Sequence, residues 1–378
     1  MKNGQLDTGF CRDTNFQNRG IFGLKSAIIL SVLLATTVAN AEPRWPVAKA
    51  NKWYAAQGWP VGANFIPSTA INQLEMWQAE TFDPTTIDRE LEFARGIGMN
   101  TMRVFLHNLP WEQDAVGFKK RIEQYLGIAD RHHIRTMFVF FDSCWNDNPK
   151  SGVQPVPKPG IHNSGWARSP GSKRLFDSST WGVLEAYTTD ILKTFGNDRR
   201  VLAWDLFNEP SNSDYKDASV PLLKSVFAWA RKANPSQPLT AGIWNDHAMS
   251  NAIMLANSDV VTFHAYTPAD KLDAKIKELA AKNRPLICTE YMARTQDSLF
   301  ETSLPVFKRR RVGALNWGLV KGKTNTIFAW KTPMPDRNEP PVWFHDIFRP
   351  DGTPFSQKEI DFIKGITAPA SATAAPVR

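Results

Sequence analysis

Cysteine is scarce in this chain, with three residues among 378. Cys11 falls in an N-terminal leader, which leaves Cys144, just past one apolar run, and Cys288, inside another. If those runs stand on different sides of a barrel, the thiols are too far apart to bridge, and both are expected to be unpaired and mostly buried. Neither has a His or Cys at ligand spacing, so no metal and no cofactor are expected. Long apolar runs are missing as well. The stretch from Ala27 to Ala35 falls well short of the roughly 20 residues a spanning helix needs. With Lys25 before it and Ala39-Asn40-Ala41 after it, residues 1–41 read as a signal peptide cut after Ala41. A secreted or periplasmic protein with no stable membrane anchor is expected.

A strong excess of one charge is also lacking. The formal net charge is +8. With Lys2, Arg12, Arg19 and Lys25 of the leader set aside, and Asp7 and Asp13 with them, 41 basic and 35 acidic residues remain, or +6. Part of that excess is Lys308-Arg309-Arg310-Arg311, which reads as a helix end where cations complement the dipole. Nothing else clusters around it, so no nucleic-acid partner is expected. A Gly-rich turn after the first apolar run is absent too. Val61-Gly62-Ala63-Asn64-Phe65-Ile66-Pro67 lacks the pattern an open doubly wound sheet usually shows.

What is present is a regular alternation. Strand-length apolar runs lie at 61–66, 101–106, 136–141, 201–207, 239–243, 260–264, 286–289 and 314–317. Between them lie helical stretches at 84–96, 118–131, 181–195, 220–232, 269–281 and 302–310. Ile87, Leu91 and Ala94 show the spacing that lays one helical face on a sheet. Runs so apolar imply strands covered on both faces, hence a parallel sheet. Eight of them close a (β/α)8 TIM barrel, an α/β fold that needs roughly 250 residues. A single catalytic domain is expected over 42–365, followed by a disordered tail, 366–378, rich in Ala, Pro, Ser and Thr. The segment 142–178 has no helical period and is rich in Pro, Gly, Ser and Asn. Loops of that length are usually functional.

Two apolar runs end in a carboxylate. Glu209 closes the run from Val201 and is followed by Pro210, which biases it away from helical geometry. Glu290 closes Leu286-Ile287-Cys288-Thr289. A buried charge costs several kcal/mol unless compensated, so two such endings imply a shared site where the strands open. Paired carboxylates there are the equipment for cleaving a glycosidic bond. Asn208 can hydrogen-bond a sugar hydroxyl. Arg103 interrupts an apolar strand and needs a carboxylate, and near Glu290 it would hold that group ionised. His264 and Tyr266 put an imidazole and a phenol at another strand end. Trp317 offers a flat face for a pyranose, and Trp145, Trp244 and Trp330 are weaker candidates for the same work.

Asn208-Glu209-Pro210, His264-x-Tyr266, Thr289-Glu290 and Trp317, following Arg103, resemble the motif set of the family 5 glycoside hydrolases, the cellulase family of retaining glycosidases. The resemblance covers most of residues 60–320. It implies Glu209 as acid/base on the fourth barrel strand and Glu290 as nucleophile on the seventh. It further implies Asn208 at the 2-hydroxyl, His264 and Tyr266 supporting the glutamates, Arg103 steadying the nucleophile and Trp317 flooring the sugar under attack. The implied substrate is a β-linked oligo- or polysaccharide, and a monomer is expected. Such members usually carry a histidine after the third strand, where this chain reads Asp142-Ser143-Cys144-Trp145; His107 is a candidate for part of that space. Mannan, xylan or a small β-glycoside are therefore left open. Two other classes compete. A barrel lyase or isomerase of small sugars would want a strand-end lysine or a phosphate loop, for which Lys321 and Gly322 are the only hint. A non-catalytic sugar-binding barrel would show binding without product.

Overall fold

The computed structural model describes residues 43–368 apart from residue 214. The expected leader lies outside the described residues, as does most of the expected tail. Eight strands appear in the expected order: β1 Val61–Asn64, β2 Thr101–Phe105, β3 Arg135–Asp142, β4 Val201–Asn208, β5 Leu239–Thr240, β6 Val261–His264, β7 Leu286–Glu290 and β8 Gly313–Asn316. Neighbours run parallel in the order β5-β4-β3-β2-β1-β8-β7-β6. The ring is completed by a single parallel bridge, Ile243 to Phe263. This is a (β/α)8 barrel.

β5 is shorter than the apolar run 239–243 because the chain changes partner within it. Leu239 and Thr240 pair with β4, whereas Ile243 pairs with β6. Gly242 lies between, and a side chain there would meet His264 Nε2 at 3.4 Å. Gly62 marks another close approach. A Cβ on it would stand 1.6 Å from the Thr101 carbonyl oxygen on β2.

Each strand is followed by a helix: Pro84–Gly96, Ala115–Arg131, Trp181–Phe195, Val220–Ala233, Ala248–Asn257, Ala269–Ala280, Phe300–Arg310 and Gln357–Thr367. Asp83 begins the first of these, accepting a 3.0 Å bond from Thr86 N ahead of Pro84 at the first helical position. Ala248–Asn257 was not legible as a helix, since only Ser250 and Met254 along it are buried and no apolar stripe shows. Gln357–Thr367 runs two residues past position 365. Lys308, Arg309 and Arg310 do end a helix, and Arg310 pairs with Asp273 at 2.8 Å. Cys144 and Cys288 are unpaired. Among the described residues no helix is long and apolar enough to cross a membrane.

The barrel interior is apolar low down. Met137, Leu202, Ala203, Ile287 and Leu315 form a cluster against which Trp53 and Tyr54 of the helix Val47–Ala55 pack. The opposite, C-terminal ends of the strands carry the polar side chains. Between strands and helices, Ile87, Leu91 and Ala94 are wholly buried, as their spacing requires. Leu91→Ala is expected to cost about 2–5 kcal/mol through lost burial and a residual cavity. Urea unfolding followed by circular dichroism checks this; a loss under about 1 kcal/mol would contradict the packing.

Candidate active site

The site is built from strand ends, and its deepest member is Arg103. Its side chain is 0% exposed in the barrel interior. Arg103 Nε and one terminal nitrogen donate to Asp205 Oδ2 at 3.0 and 2.8 Å. The other terminal nitrogen donates to Glu290 Oε1 at 2.8 Å and to Asn64 Oδ1 at 2.8 Å, while Asn208 Oδ1 accepts at 2.7 Å. One guanidinium therefore ties β1, β2, β4 and β7 together. The contact with Glu290 is the one expected of Arg103, which is not itself among the residues lining the cleft.

Glu290 is 5% exposed at the end of β7. Besides Arg103, it accepts from the Tyr266 hydroxyl at 2.8 Å. Glu209, just past β4, faces it. One oxygen of each carboxylate and a ring nitrogen of His264 all lie within 4.8 Å of one another. His264 Nδ1 stands 2.7 Å from Glu209 Oε1 and 3.4 Å from Glu290 Oε2, between the two. The other Glu209 oxygen is held by the Cys144 thiol at 3.1 Å and by the Asn212 amide. The backbone at Glu209, ahead of Pro210, is out of right-handed helical geometry: the φ of Glu209 is +45°, in the left-handed region, a conformation that costs a non-glycine residue about 1–2 kcal/mol. That turn swings the side chain into the cleft.

Burial pushes both carboxyls above the ordinary carboxylate range. Burial also pushes His264 down to about 4, so its imidazole is uncharged at neutral pH. The cation restraining Glu290 is then Arg103, in direct contact, whereas Glu209 feels that charge only at a distance. Arg103 thus favours the ionised form of Glu290 more directly than that of Glu209. Burial and the neighbouring Glu290 drive Tyr266 well above the usual phenol range, so it remains a donor. Glu209, His264 and Glu290 have the spacing to share a cation, but Arg103 already supplies the positive charge and His264 Nδ1 is engaged between the carboxyls.

The cleft above has a volume of about 770 Å³. Asn208, Glu209, His264, Tyr266, Glu290, Trp317 and Trp145 all line it, and so do Trp244 and Trp330. Asn208 also donates to Asp142 Oδ1 at 2.9 Å, which fixes its amide. His107 is not in the cleft. It is buried at the start of a helix, Nε2 on the Arg168 carbonyl at 3.0 Å and Nδ1 accepting from Leu109 N. The histidine that does line the wall is His162, which sequence reasoning missed together with Cys144, Asn163, Trp166 and Asn212. Four of these five lie in the segment 142–178, whose length was the available signal; Asn212 follows Glu209 by one turn. Lys321, the hint of lyase or phosphate chemistry, pairs with Glu339 at 2.7 Å and does not line the cleft.

The family model for cellulase (glycosyl hydrolase family 5) matches residues 122–328, more than half of the chain. The chain belongs to glycosyl hydrolase family 5. It is an O-glycosyl hydrolase. No curated protein matches it by sequence. Solved structures show the shared fold at low identity. A family 5 enzyme of Streptomyces cattleya in complex with Manβ1-4GlcNAc aligns at 10% identity over 85% of this chain and 83% of that one, TM-score 0.58. An exo-β-1,4-mannosidase of Opitutaceae bacterium strain TAV5 aligns at 18% identity over 82% and 59%, TM-score 0.56. An endo-β-1,4-mannanase of Thermotoga petrophila aligns at 13% over 83% and 77%, TM-score 0.55.

Removing the guanidinium from this family 5 hydrolase would leave Asp205 and Glu290 as uncompensated buried charges. Arg103→Met is expected to lose about 3–5 kcal/mol of stability. Thermal and urea melts measure it; a variant as stable as the parent would refute the central role of this ion cluster.

Proposed function

We propose that the enzyme hydrolyses β-linked mannosides by double displacement, with Glu290 as nucleophile and Glu209 as acid/base. The observation that carries this reading is the approach of the two carboxylates, one oxygen of each within 4.8 Å of the other. Retaining enzymes hold their carboxyls roughly 5–5.5 Å apart, inverting ones about 6.5–9.5 Å. The gap at this site is too small for a water to stand between Glu290 and the anomeric carbon, as inversion would require.

In the first step a Glu290 oxygen bonds to the anomeric carbon, the glycosidic C–O bond breaks, and the departing oxygen takes the Glu209 proton. In the second, Glu209 removes a proton from water, the water oxygen bonds to the anomeric carbon, and Glu290 leaves as carboxylate. Arg103 keeps Glu290 ionised and Tyr266 aims it. Cys144, Asn212 and His264 can donate to Glu209 once it is ionised, preparing it as base. The choice of mannosides rests on the structural neighbours, whose described substrates or activities are β-mannosyl.

Glu290→Gln is expected to abolish turnover of every glycoside. Glu209→Gln should lose roughly 10²–10⁴-fold on natural substrates, yet less than about tenfold in glycosyl-enzyme formation on aryl mannosides with very good leaving groups, which need little acid help. Burst kinetics with such substrates decide it, and equal loss on both would refute the assignment.

A second expectation concerns pH. The Asn212 amide favours the ionised form of Glu209, so it lowers that carboxyl's pKa against the rise from burial. Asn212→Ala removes the donor and lifts the pKa further. The proton then persists to higher pH, and the alkaline limb of kcat/KM moves upward. A profile measured from pH 4 to 10 shows this; a limb that stays put or moves down counts against it.

A further inference from the structure

Two loops meet over one side of the cleft. Residues 142–178, after β3, bond residues 321–341, after β8, at four places. Thr324 O accepts from Asn163 N at 2.8 Å and Gly160 O from Met334 N at 3.0 Å. Lys158 O accepts from the Asn325 amide at 2.9 Å, and Phe328 O from His162 Nδ1 at 2.8 Å. Gly160 is needed for the closeness of the seam, since a Cβ there would stand 2.0 Å from Met334 O. The loop after β1 joins them through Asn72 to Gly165 O at 2.8 Å and Ser68 O to Lys323 N at 3.1 Å.

This wall stands on the nucleophile's side. Trp330, on the joined loops, packs edge-on to Tyr266 at 4.8 Å, and Tyr266 holds Glu290. Deep in the cleft here, His162, Asn163, Trp166 and Trp317 are 2%, 1%, 2% and 8% exposed, while Trp145, Trp330 and Lys331 of the same loops stand at its rim. On the side of Glu209 the lining is open: Ser213 is exposed, and Asn212 and Trp244 are half-buried. A sugar attacked by Glu290 lies against the closed wall, and the group protonated by Glu209 departs toward the open side.

The wall also carries unmet acceptors. His162 Nδ1 donates to a carbonyl, so Nε2 bears a bare lone pair, and Nε2 has no partner within the protein. Asn163 Oδ1, beside it in the cleft wall, has none either. His345, with its ring centroid 5.3 Å from that of His162, cannot supply a proton, because its own Nδ1 is committed to Met292 O and its Nε2 is likewise unpartnered. Leaving a buried acceptor unsatisfied costs about 1–3 kcal/mol, and a sugar hydroxyl is a donor of the right kind.

We propose that the closed wall makes the site a terminal pocket, so that the enzyme removes single sugars from the non-reducing end of β-linked chains, with His162 and Asn163 accepting from hydroxyls of that end sugar. This rests on the assignment of Glu290 and Glu209 above.

The test uses the full chain and β-1,4-mannopentaose fluorescently labelled at its reducing end. The first products should be free mannose and labelled tetramer; labelled dimer or trimer at early times would overturn the pocket while leaving the hydrolase reading intact. A binding arm does not depend on turnover. The Glu290→Gln variant, titrated calorimetrically, should bind mannotetraose at least about tenfold more tightly than the same chain capped on its terminal sugar by a 4,6-benzylidene acetal. Equal affinity for both, or no binding of either, would overturn the proposal. His162→Ala should raise KM for an aryl mannoside about tenfold with a smaller change in kcat, and His162→Gln, which restores an acceptor, should recover part of it. Unchanged KM in a folded His162→Ala would remove that residue from the subsite.

Discussion

A single buried guanidinium organises the upper half of this barrel. Arg103 touches Asp205 and Glu290 with charge and Asn64 and Asn208 with amide oxygens, four partners from three other strands. Its five N–H donors match that demand, and an ammonium in the same place could not, having three. Because the cluster is buried, each carboxylate drawn into it must be compensated or protonated. One cation serves two carboxylates in contact, Asp205 and Glu290. Glu209, outside that contact, is left to neutral donors: a thiol, an amide and an uncharged imidazole. What separates the surroundings of two glutamates so close together is thus where one arginine ends.

This explains what could and could not be read from the chain. The strands were legible because parallel β-structure buried on both faces leaves long apolar runs, and a carboxylate at the end of such a run has few structural reasons to exist. Glu209 and Glu290 announced themselves that way. Arg103 was visible as an anomaly in an apolar strand, but its depth was not, since a strand pattern says which face a residue takes and not how far below the rim it lies. The closure of the ring was hidden for a related reason. It depends on one bridge at Ile243, in a run whose apolar character says nothing about a change of partner halfway along.

Loops were the least legible part. The length of 142–178 marked it as consequential, yet which of its residues face the cleft is set by positive-φ positions and cross-loop bonds that leave no periodic trace. Trp145 and Asn163 both take left-handed backbone, with φ of 70° and 47°, and neither is glycine. His107 was drawn toward the site by its place after β2, but its ring is consumed by capping a helix and binding a carbonyl. A histidine with both nitrogens spoken for has nothing left for a substrate, whereas His162, with one spoken for, does.

The division of labour along the barrel axis follows from the same accounting. At the lower end, Met137, Leu202, Ala203, Ile287 and Leu315 close the interior with apolar side chains. At the upper end, Asp205 Oδ1, His264 Nε2, His162 Nε2 and Asn163 Oδ1 are buried without partners in the protein, and Glu209 holds a left-handed turn. Each such feature costs on the order of 1–3 kcal/mol. At the cleft they have a use, because a fully satisfied wall would have nothing to offer a hydroxyl, and a relaxed backbone at residue 209 would turn its carboxyl away from Glu290. The apolar half offsets that cost, so the polar half need not be at its own minimum until a sugar is in place.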